Sequence, residues 1–512
     1  MEMRCTLPDS LLSGLSDFVA ARIGLHFPQE RWRDLERGLI AATPEWSQPD
    51  AQSCARWLLE ASLTQSHIEI LASHLTVGET YFFREKRSLE ILETQIVPEL
   101  LRARQGGERH LRIWSAGCCT GEEPYSIAIL LDRLIPDQTD WTITLLATDI
   151  NPRFLRKAAE GVYGEWSFRD TPKWVRARYF KQRKDGRFEL SAHIRRKVTF
   201  SYLNLADDAY PSLLNNTNAM DVIFCRNVLM YFTAQRAKKV TRNFHRSLVE
   251  DGWLIVNATE TSAALFPLFT PVNFHGAVLY RKAQDNAAGV AATHYQPPAL
   301  QPALFQFHFE GETRRRRADD EDSTFGTARN EGGSQHRVTD KMELELFPPE
   351  MPAEPPGQTA TMASNNALTQ EQNDCEALSL NARDCANQGR LVEAIEWCAK
   401  AIAADKMNPA RHYLLAAIQQ EQGQLDAAAE SLNRALYLDS GFVLAHFALG
   451  NLRLSQGKRR EAERHFTNTL ATLQAHPHDE VLPESEGLTA GRLVEIVTSV
   501  LASLPHAVAA NA

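Results

Sequence analysis

Gly389, Gly423 and Gly457 stand 34 residues apart, and other positions keep the same phase: Ala394, Ala428 and Ala462; Ala382, Ala416 and Gly450; Asp405 and Asp439. No other feature of the chain restricts its fold so strongly. A unit of this length, with a glycine turn between two helical stretches, cannot bury its own apolar face. It must stack on copies of itself. Residues 375–477 therefore read as three helical hairpins. "LTAGRLVEIVTSVLASL", within 478–512, reads as a helix capping the stack.

The 34-residue period, with small residues where helices would meet, resembles the tetratricopeptide repeat. That resemblance implies an all-α solenoid with a curved surface for a peptide or helix of a protein partner. Ahead of it, 285–374 contains "QPPALQPAL", "ETRRRRADDEDS" and "FPPEMPAEPPGQ". Such a composition cannot bury a core and reads as a disordered linker. Arg314 to Arg317 are followed at once by Asp319, Asp320, Glu321 and Asp322, a self-neutralising solvated run rather than a basic docking site. So long a linker predicts repeats isolated from what precedes them, and a segment 1–285 that folds and acts alone.

Before the linker two patterns follow one another. Residues 1–75 read as helical, with Ile68, Leu71 and Leu75 on one face. From about 110, within a domain spanning 76–284, strands and helices alternate. "LRIWS" is a strand, Ile127, Leu130, Leu131 and Leu134 mark a helix face, and "TITLLATD" is a strand apolar on both faces. Asn151 and Pro152 then read as the cap and first residue of a helix. "KVTFSYLNL", "MDVIFCRN" and "WLIVNAT" are further strands. Thr233 caps a helix with Val240, Phe244 and Leu248 on its apolar face, ended by Gly252. This alternation predicts an α/β, doubly wound, mostly parallel sheet. Asp185-Gly186 predicts a hairpin in a small β insertion near 176–200.

The composition excludes several function classes. With 44% hydrophobic and 23% charged residues the chain can build real cores, and a net charge of −9 speaks against general nucleic-acid binding. No apolar run is long enough to cross a membrane. The opening MEMRCTLPDS has no secretory pattern, and the eight cysteines form no CxxC pair. A cytoplasmic protein with no metal site, no nucleic acid and no membrane insertion is expected. Adjacent Cys118 and Cys119 read as small packing residues.

The candidate site is "WSAGCCTGEEPYS", Trp114 to Ser126: a strand end, a glycine turn, and a helix opening on Glu122 and Glu123. A dinucleotide site needs G-x-G-x-x-G and seats a pyrophosphate on the helix N-terminus. Here the third glycine is missing, and two carboxylates would repel the phosphates. They suit a ligand carrying hydroxyls, an amine or a positive centre, such as S-adenosylmethionine. Asp149, at the end of the second strand, is placed to accept from a ribose diol. Either glutamate alone could simply stabilise the helix N-terminus, worth about 0.3–1 kcal/mol.

"LTVGETYFFRE" (Leu75–Glu85), "WSAGCCTGEEPYS", "ATDI" (Ala147–Ile150), "NL" (Asn204–Leu205) and "FCRNVLMYF" (Phe224–Phe232) occur in that order. Together they resemble the CheR-type protein-glutamate O-methyltransferases, over roughly 10–284. The resemblance implies a class I, Rossmann-like methyltransferase domain behind an N-terminal helical domain, and S-adenosylmethionine as cofactor. It implies glutamates on chemoreceptor cytoplasmic helices as substrate. On matching positions it implies cofactor contacts from Gly78, Thr80, Arg84, Gly117, Glu122, Glu123, Asp149, Asn204, Leu205, Arg226 and Asn227. Arg84 and Tyr231 fall at the reacting centre. Gly78 stands where family members carry asparagine, and "NATE" (Asn257–Glu260) replaces a "GHSE"-like segment. Some relatives bind a receptor-tail peptide on the β insertion. The short "KQRKDGRFEL" turn predicts that this chain does not.

Two rivals accompany this reading. One is an NAD-dependent oxidoreductase, disfavoured by the missing glycine and the paired glutamates. The other is a repeat scaffold carrying an inactive methyltransferase domain, disfavoured by the retained Arg84, Asp149, Asn227 and Tyr231. The appended repeats suggest a non-flagellar chemosensory pathway.

Overall fold

A computed structural model of the chain describes residues 7–282 and 376–503, apart from short gaps at 62, 106–108, 136–139, 214, 479 and 486–487. The linker expectation, 285–374, lies outside the described residues.

The N-terminal part is all helical: α1 (Asp9–Arg22), α2 (Trp32–Ala42), α3 (Ala51–Glu60) and α4 (Gln65–Leu75). Ile68, Leu71 and Leu75 of α4 pack with Leu12, Leu15, Val19, Leu35 and Leu39 into a core of their own. Thr64 caps α4 by accepting from His67 N. The short helices α5 (Lys86–Ile91) and α6 (Val97–Ala103) lead to the sheet.

That sheet has seven strands in the order β6-β2-β1-β7-β8-β10-β9. They are β1 (His110–Ala116), β2 (Thr142–Asp149), β6 (Thr199–Tyr202), β7 (Met220–Phe224), β8 (Leu248–Ile255), β9 (Phe269–Phe274) and β10 (Ala277–Lys282). β6, β2, β1, β7 and β8 run parallel, and the β9–β10 hairpin closes the edge antiparallel. Apolar runs line both faces. Ile113, Leu145, Val222 and Trp253 enter one core, and Trp114, Leu146, Ile223 and Leu254 enter the other. Alternate strand residues point to opposite faces, so a sheet covered on both sides needs unbroken apolar strands.

Helices α7 (Glu122–Leu134), α8 (Pro152–Glu160) and α11 (Ala234–Ser247) connect the parallel strands. Asn151 caps α8 by accepting from Arg153 N and Phe154 N, and Thr233 caps α11. The helix after Thr233 ends sooner than its apolar spacing suggests. Leu248 already belongs to β8, paired with Met220, and Gly252 lies inside that strand. The register shift between Met220 and Val222 absorbs the extra residues.

The β insertion is larger than its hairpin. β3 (Val162–Tyr163) joins β4 (Phe180–Gln182) and β5 (Phe188–Leu190) in an antiparallel sheet with β5 central. Helices α9 (Lys173–Tyr179) and α10 (Ala192–Arg195) flank it. Asp185-Gly186 lies at the β4–β5 turn, where Gly186 N donates to Arg183 O and takes φ +79°.

The C-terminal part is all α. It comprises α12 (376–387), α13 (Leu391–Ala404), α14 (Pro409–Glu421), α15 (Leu425–Leu438), α16 (Val443–Ser455), α17 (Arg459–Leu473) and α18 (Ala490–Ser503). The three phased glycines turn the chain between paired helices at φ +74° to +78°, a conformation glycine adopts without steric cost. The phased alanines are fully buried. A Cβ at Gly450 would come within 2.5 Å of the Phe466 ring, so the small residue sets how closely α16 and α17 approach.

These repeats are not isolated from the α/β domain. Glu421, the last residue of α14, pairs with Arg112 of β1 at 3.0 Å, and both side chains are buried. Asn218 Nδ2 donates to Glu421 Oε1 at 2.6 Å. Leu213 packs on the core of the first repeat, and a Cβ at Gly389 would come 3.4 Å from the side chains of Ala219 and Val249. A long linker permits isolation but cannot enforce it when two surfaces fit.

Candidate active site

A cleft opens at the C-terminal ends of β1, β2, β6 and β7, where parallel sheets bind ligands. Its floor is the glycine turn. Gly117 N and Cys118 N donate to Thr148 O at 2.8 and 2.9 Å, and Cys119 N donates to Asp149 Oδ2 at 2.8 Å. These three amides are bound to β2 and its terminal carboxylate, so they form no phosphate cradle. Gly117 takes φ +80°, and a Cβ there would come 2.4 Å from Val228 Cγ2.

Asp149 lines the cleft. Its Oδ1 accepts from Asn151 N at 2.8 Å. Burial pushes its carboxyl up to about 6, against the pull of the Asn151 and Cys119 amides. A buried acceptor held by two backbone amides suits a ribose diol, which needs an acceptor of fixed direction.

The two glutamates have separate surroundings. Glu123 lines the cleft; its Oε1 accepts from Ser115 Oγ and its Oε2 from Arg226 Nε, each at 2.7 Å. Glu122 is not among the lining residues. Its carboxylate is buried and accepts from Thr120 Oγ1 at 2.7 Å and Ser167 Oγ at 3.0 Å, tying the helix start to the β insertion. Burial raises its pKa. Successive residues on a helix differ by about 100° in direction, so neighbours need not share a site.

Gly78 also stands outside the lining. A Cβ at this position would come within 2.7 Å of the Phe154 ring, which does line the cleft. Phe154 thus occupies the space an asparagine side chain would need.

Arg226 is buried and neutralised by Glu123. Its Nη1 donates to Arg84 O at 2.7 Å and Ser88 Oγ at 3.1 Å, bolting the 84–88 segment to the end of β7. Arg84 lies between Phe83 and Glu85, which have φ of +60° and +54°. Two non-glycine residues in this region are costly, and such strain gathers at functional sites. Arg84 Nη1 donates to Glu79 O at 2.6 Å, which leaves donors for an incoming carboxylate.

Thr80, Asn204, Leu205, Asn227 and Tyr231 all line the cleft. Asn204 Nδ2 donates to Asp207 Oδ1 at 3.0 Å and to Arg22 O at 3.3 Å. Asn227 sits at φ +60°. Burial raises the Tyr231 hydroxyl pKa, partly offset by Arg31 and Arg84.

Two contributions escaped the sequence reading. His26, Phe27 and Arg31 form the opposite wall, with the Arg31 guanidinium 5.6 Å from the Tyr231 ring centre. His26 N donates to Tyr231 O at 2.7 Å, binding the helical domain to the active-site loop. Nothing in the spacing of α1 and α2 points to this. The other is Glu260. Its carboxylate accepts from Asn227 N at 2.8 Å, Val228 N at 2.9 Å, Met230 N at 3.3 Å and Asn257 N at 3.2 Å. A glutamate a few residues after an apolar strand was the available signal. The "NATE" departure keeps that glutamate.

Among the described residues no group of metal-ligating side chains forms a site, and no helix is long and apolar enough to cross a membrane.

The family model described as "CheR methyltransferase, SAM binding domain" matches residues 78–273. A chemotaxis protein methyltransferase of Borreliella burgdorferi is 34% identical over 205 residues, covering 40% of this chain and 71% of the relative. Chemotaxis protein methyltransferase 2 of Vibrio cholerae is 35% identical, covering 42% and 73%. The probable biofilm formation methyltransferase WspC of Pseudomonas aeruginosa is 35% identical, covering 40% and 48%. Among solved structures, the first TPR of Spaghetti matches at 22% identity, with a TM-score of 0.20, covering 25% of this chain and 94% of that one.

Proposed function

The chain belongs to the CheR family of chemotaxis protein methyltransferases, with S-adenosylmethionine as methyl donor, and on that premise we propose that it esterifies glutamate side chains on the cytoplasmic helices of a chemoreceptor. One observation carries the reading. Asp149, which suits a ribose, shares a cleft with Arg84, which suits a carboxylate, and the cleft has no phosphate cradle.

When bound, S-adenosylmethionine supplies an electrophilic methyl on a sulfonium and leaves as neutral S-adenosylhomocysteine. Asp149 accepts from the ribose hydroxyls, and Leu205 and Asn204 flank the base. Glu123 and Arg226 neutralise each other and hold Arg84 in place. The substrate glutamate, with a reference pKa of about 4.3, is ionised at pH 7 and needs no general base. Arg84 orients its carboxylate by charged, forked hydrogen bonds, so that one oxygen faces the methyl carbon. Tyr231 packs beside the reacting centre with its hydroxyl protonated. The helical domain closes the cleft and limits water.

In this reading the pathway is a non-flagellar one. A relative bears a biofilm name and the chain carries repeats beyond the methyltransferase domain. The repeats recruit a protein partner, for which Tyr437 and Met407 stand exposed. The test is transfer of labelled methyl from S-adenosylmethionine to a receptor cytoplasmic fragment, followed by alkaline release of labelled methanol. Glutamyl esters hydrolyse under base and methylated amines do not. Base-stable label, or no label with saturating receptor, refutes the assignment; the second result favours the inactive scaffold.

A further inference from the structure

The repeats meet the catalytic domain on the side of the sheet opposite the cleft. Arg112 is the third residue of β1, Ala219 precedes β7, and Thr142, the first residue of β2, lies 3.8 Å from where a Cβ at Gly423 would stand. The cleft lies at the other ends of these strands, roughly 15–20 Å away at about 3.3 Å per residue. One segment spans the distance: residues 203–219, between β6 and β7.

At the cleft end of this segment, Asn204 and Leu205 face the cofactor space. At the far end, Arg112 donates to Asn216 Oδ1 at 2.6 Å and to Asn218 O at 3.1 Å, and Asn218 in turn donates to Glu421. Hydrogen bonds join the two ends. Tyr210 OH donates to Leu205 O at 2.8 Å, Asn215 Nδ2 to Ala209 O at 2.6 Å, and Ser212 N to Thr217 Oγ1 at 3.0 Å. Leu213, from the middle of the segment, packs on the first repeat.

The charges at the dock fix its register. While the surfaces are together, Arg112 and Glu421 compensate each other, and loss of either side chain leaves the other buried and uncompensated. Glu421 Oε2 is buried with no hydrogen-bond partner, so the Arg112 and Asn218 contacts to Oε1 carry the whole compensation.

From these contacts we infer that Glu421, in the repeats, is a positioning residue for the cofactor site: by docking on Arg112 and Asn218 it holds the 203–219 segment, and with it Asn204 and Leu205, in the cofactor-binding arrangement. A protein that pulls the repeats from the dock would thereby lower cofactor affinity. The inference rests on the cofactor reading above.

The experiment is calorimetric titration of the full chain with S-adenosylhomocysteine, with initial rates against cofactor concentration. Glu421→Ala weakens binding about tenfold, a usual size for coupled sites. It raises the KM for S-adenosylmethionine and leaves kcat at saturating cofactor near the wild-type value. Glu421→Gln, which keeps the acceptor oxygen, restores most of the affinity. Phe466→Ala, in the repeat core away from the dock, lowers the unfolding temperature of the repeats without changing affinity. If Glu421→Ala proves too unstable to purify, Asn218→Ala removes one of the two contacts to Glu421 from the catalytic side and gives a smaller shift in the same direction. Wild-type affinity in a folded Glu421→Ala or Asn218→Ala protein overturns the coupling alone. Failure of the wild type itself to bind S-adenosylhomocysteine overturns the cofactor reading and the coupling with it.

Discussion

Acidification should weaken cofactor binding while relieving a strain on the fold, and Asp149 is the reason. Burial disfavours its charge and pushes its carboxyl up to about 6, against 3.8 for an ordinary aspartate. Binding to a ribose diol draws on the ionised form. With a pKa of about 6 the group is about nine-tenths ionised at pH 7 and about one-tenth at pH 5, so affinity should fall about tenfold, or about 1.4 kcal/mol. Folding responds with the opposite sign. A raised pKa means that the native state binds the proton more tightly than the unfolded chain. The contribution of this group to stability is therefore fully present below pH 3.8 and lost as pH rises through about 6. At pH 7 the buried charge costs about 3 kcal/mol. Calorimetry with S-adenosylhomocysteine between pH 7 and 5 measures the first effect. The ligand's own amine and carboxyl, with reference values of about 8 and 3.5, do not titrate in that window. Asp149→Asn should bind weakly and flatten the profile. A wild-type affinity constant across the window, with the fold intact by circular dichroism, would refute the assignment of Asp149 as the ribose acceptor.

Other perturbations separate the remaining roles. Arg84→Ala should reduce methyl transfer by more than about a hundredfold, since it removes substrate orientation, while S-adenosylhomocysteine affinity stays near wild type; normal transfer would make the arginine structural. Arg84→Lys should not rescue it, because an ammonium lacks the planar fork. Glu260→Ala strips the acceptor from four backbone amides and should cost about 1–3 kcal/mol or more, read as a lower unfolding temperature, together with a slower reaction through displaced Asn227 and Tyr231. Glu123→Ala takes the close partner from buried Arg226, leaving it only Glu85 at 3.9 Å, and should destabilise by up to about 3–5 kcal/mol in denaturant titration. A receptor-tail pentapeptide should show no calorimetric binding to the full chain, because the β4–β5 turn at Asp185-Gly186 is short; measurable affinity would refute that.

The features legible in the sequence were those set by neighbours along the chain. The strand TITLLATD, the Asn151 and Thr233 caps, the turn at Gly117 and the 34-residue phase all express local backbone preference and burial on one face. Local pattern misjudged the end of α11, where pairing of Leu248 with Met220 took the residue for the sheet. It also could not divide the work of Glu122 and Glu123, because which carboxylate faces a cleft depends on where the Ser167 turn folds back. Only the tertiary structure brought Arg31 over Tyr231, laid four amides on Glu260, and buried Glu421 against Arg112, partners separated by as many as three hundred residues. Such contacts leave no periodic trace in the sequence. Each side chain satisfies a distant group whose place is set only when the whole sheet has closed.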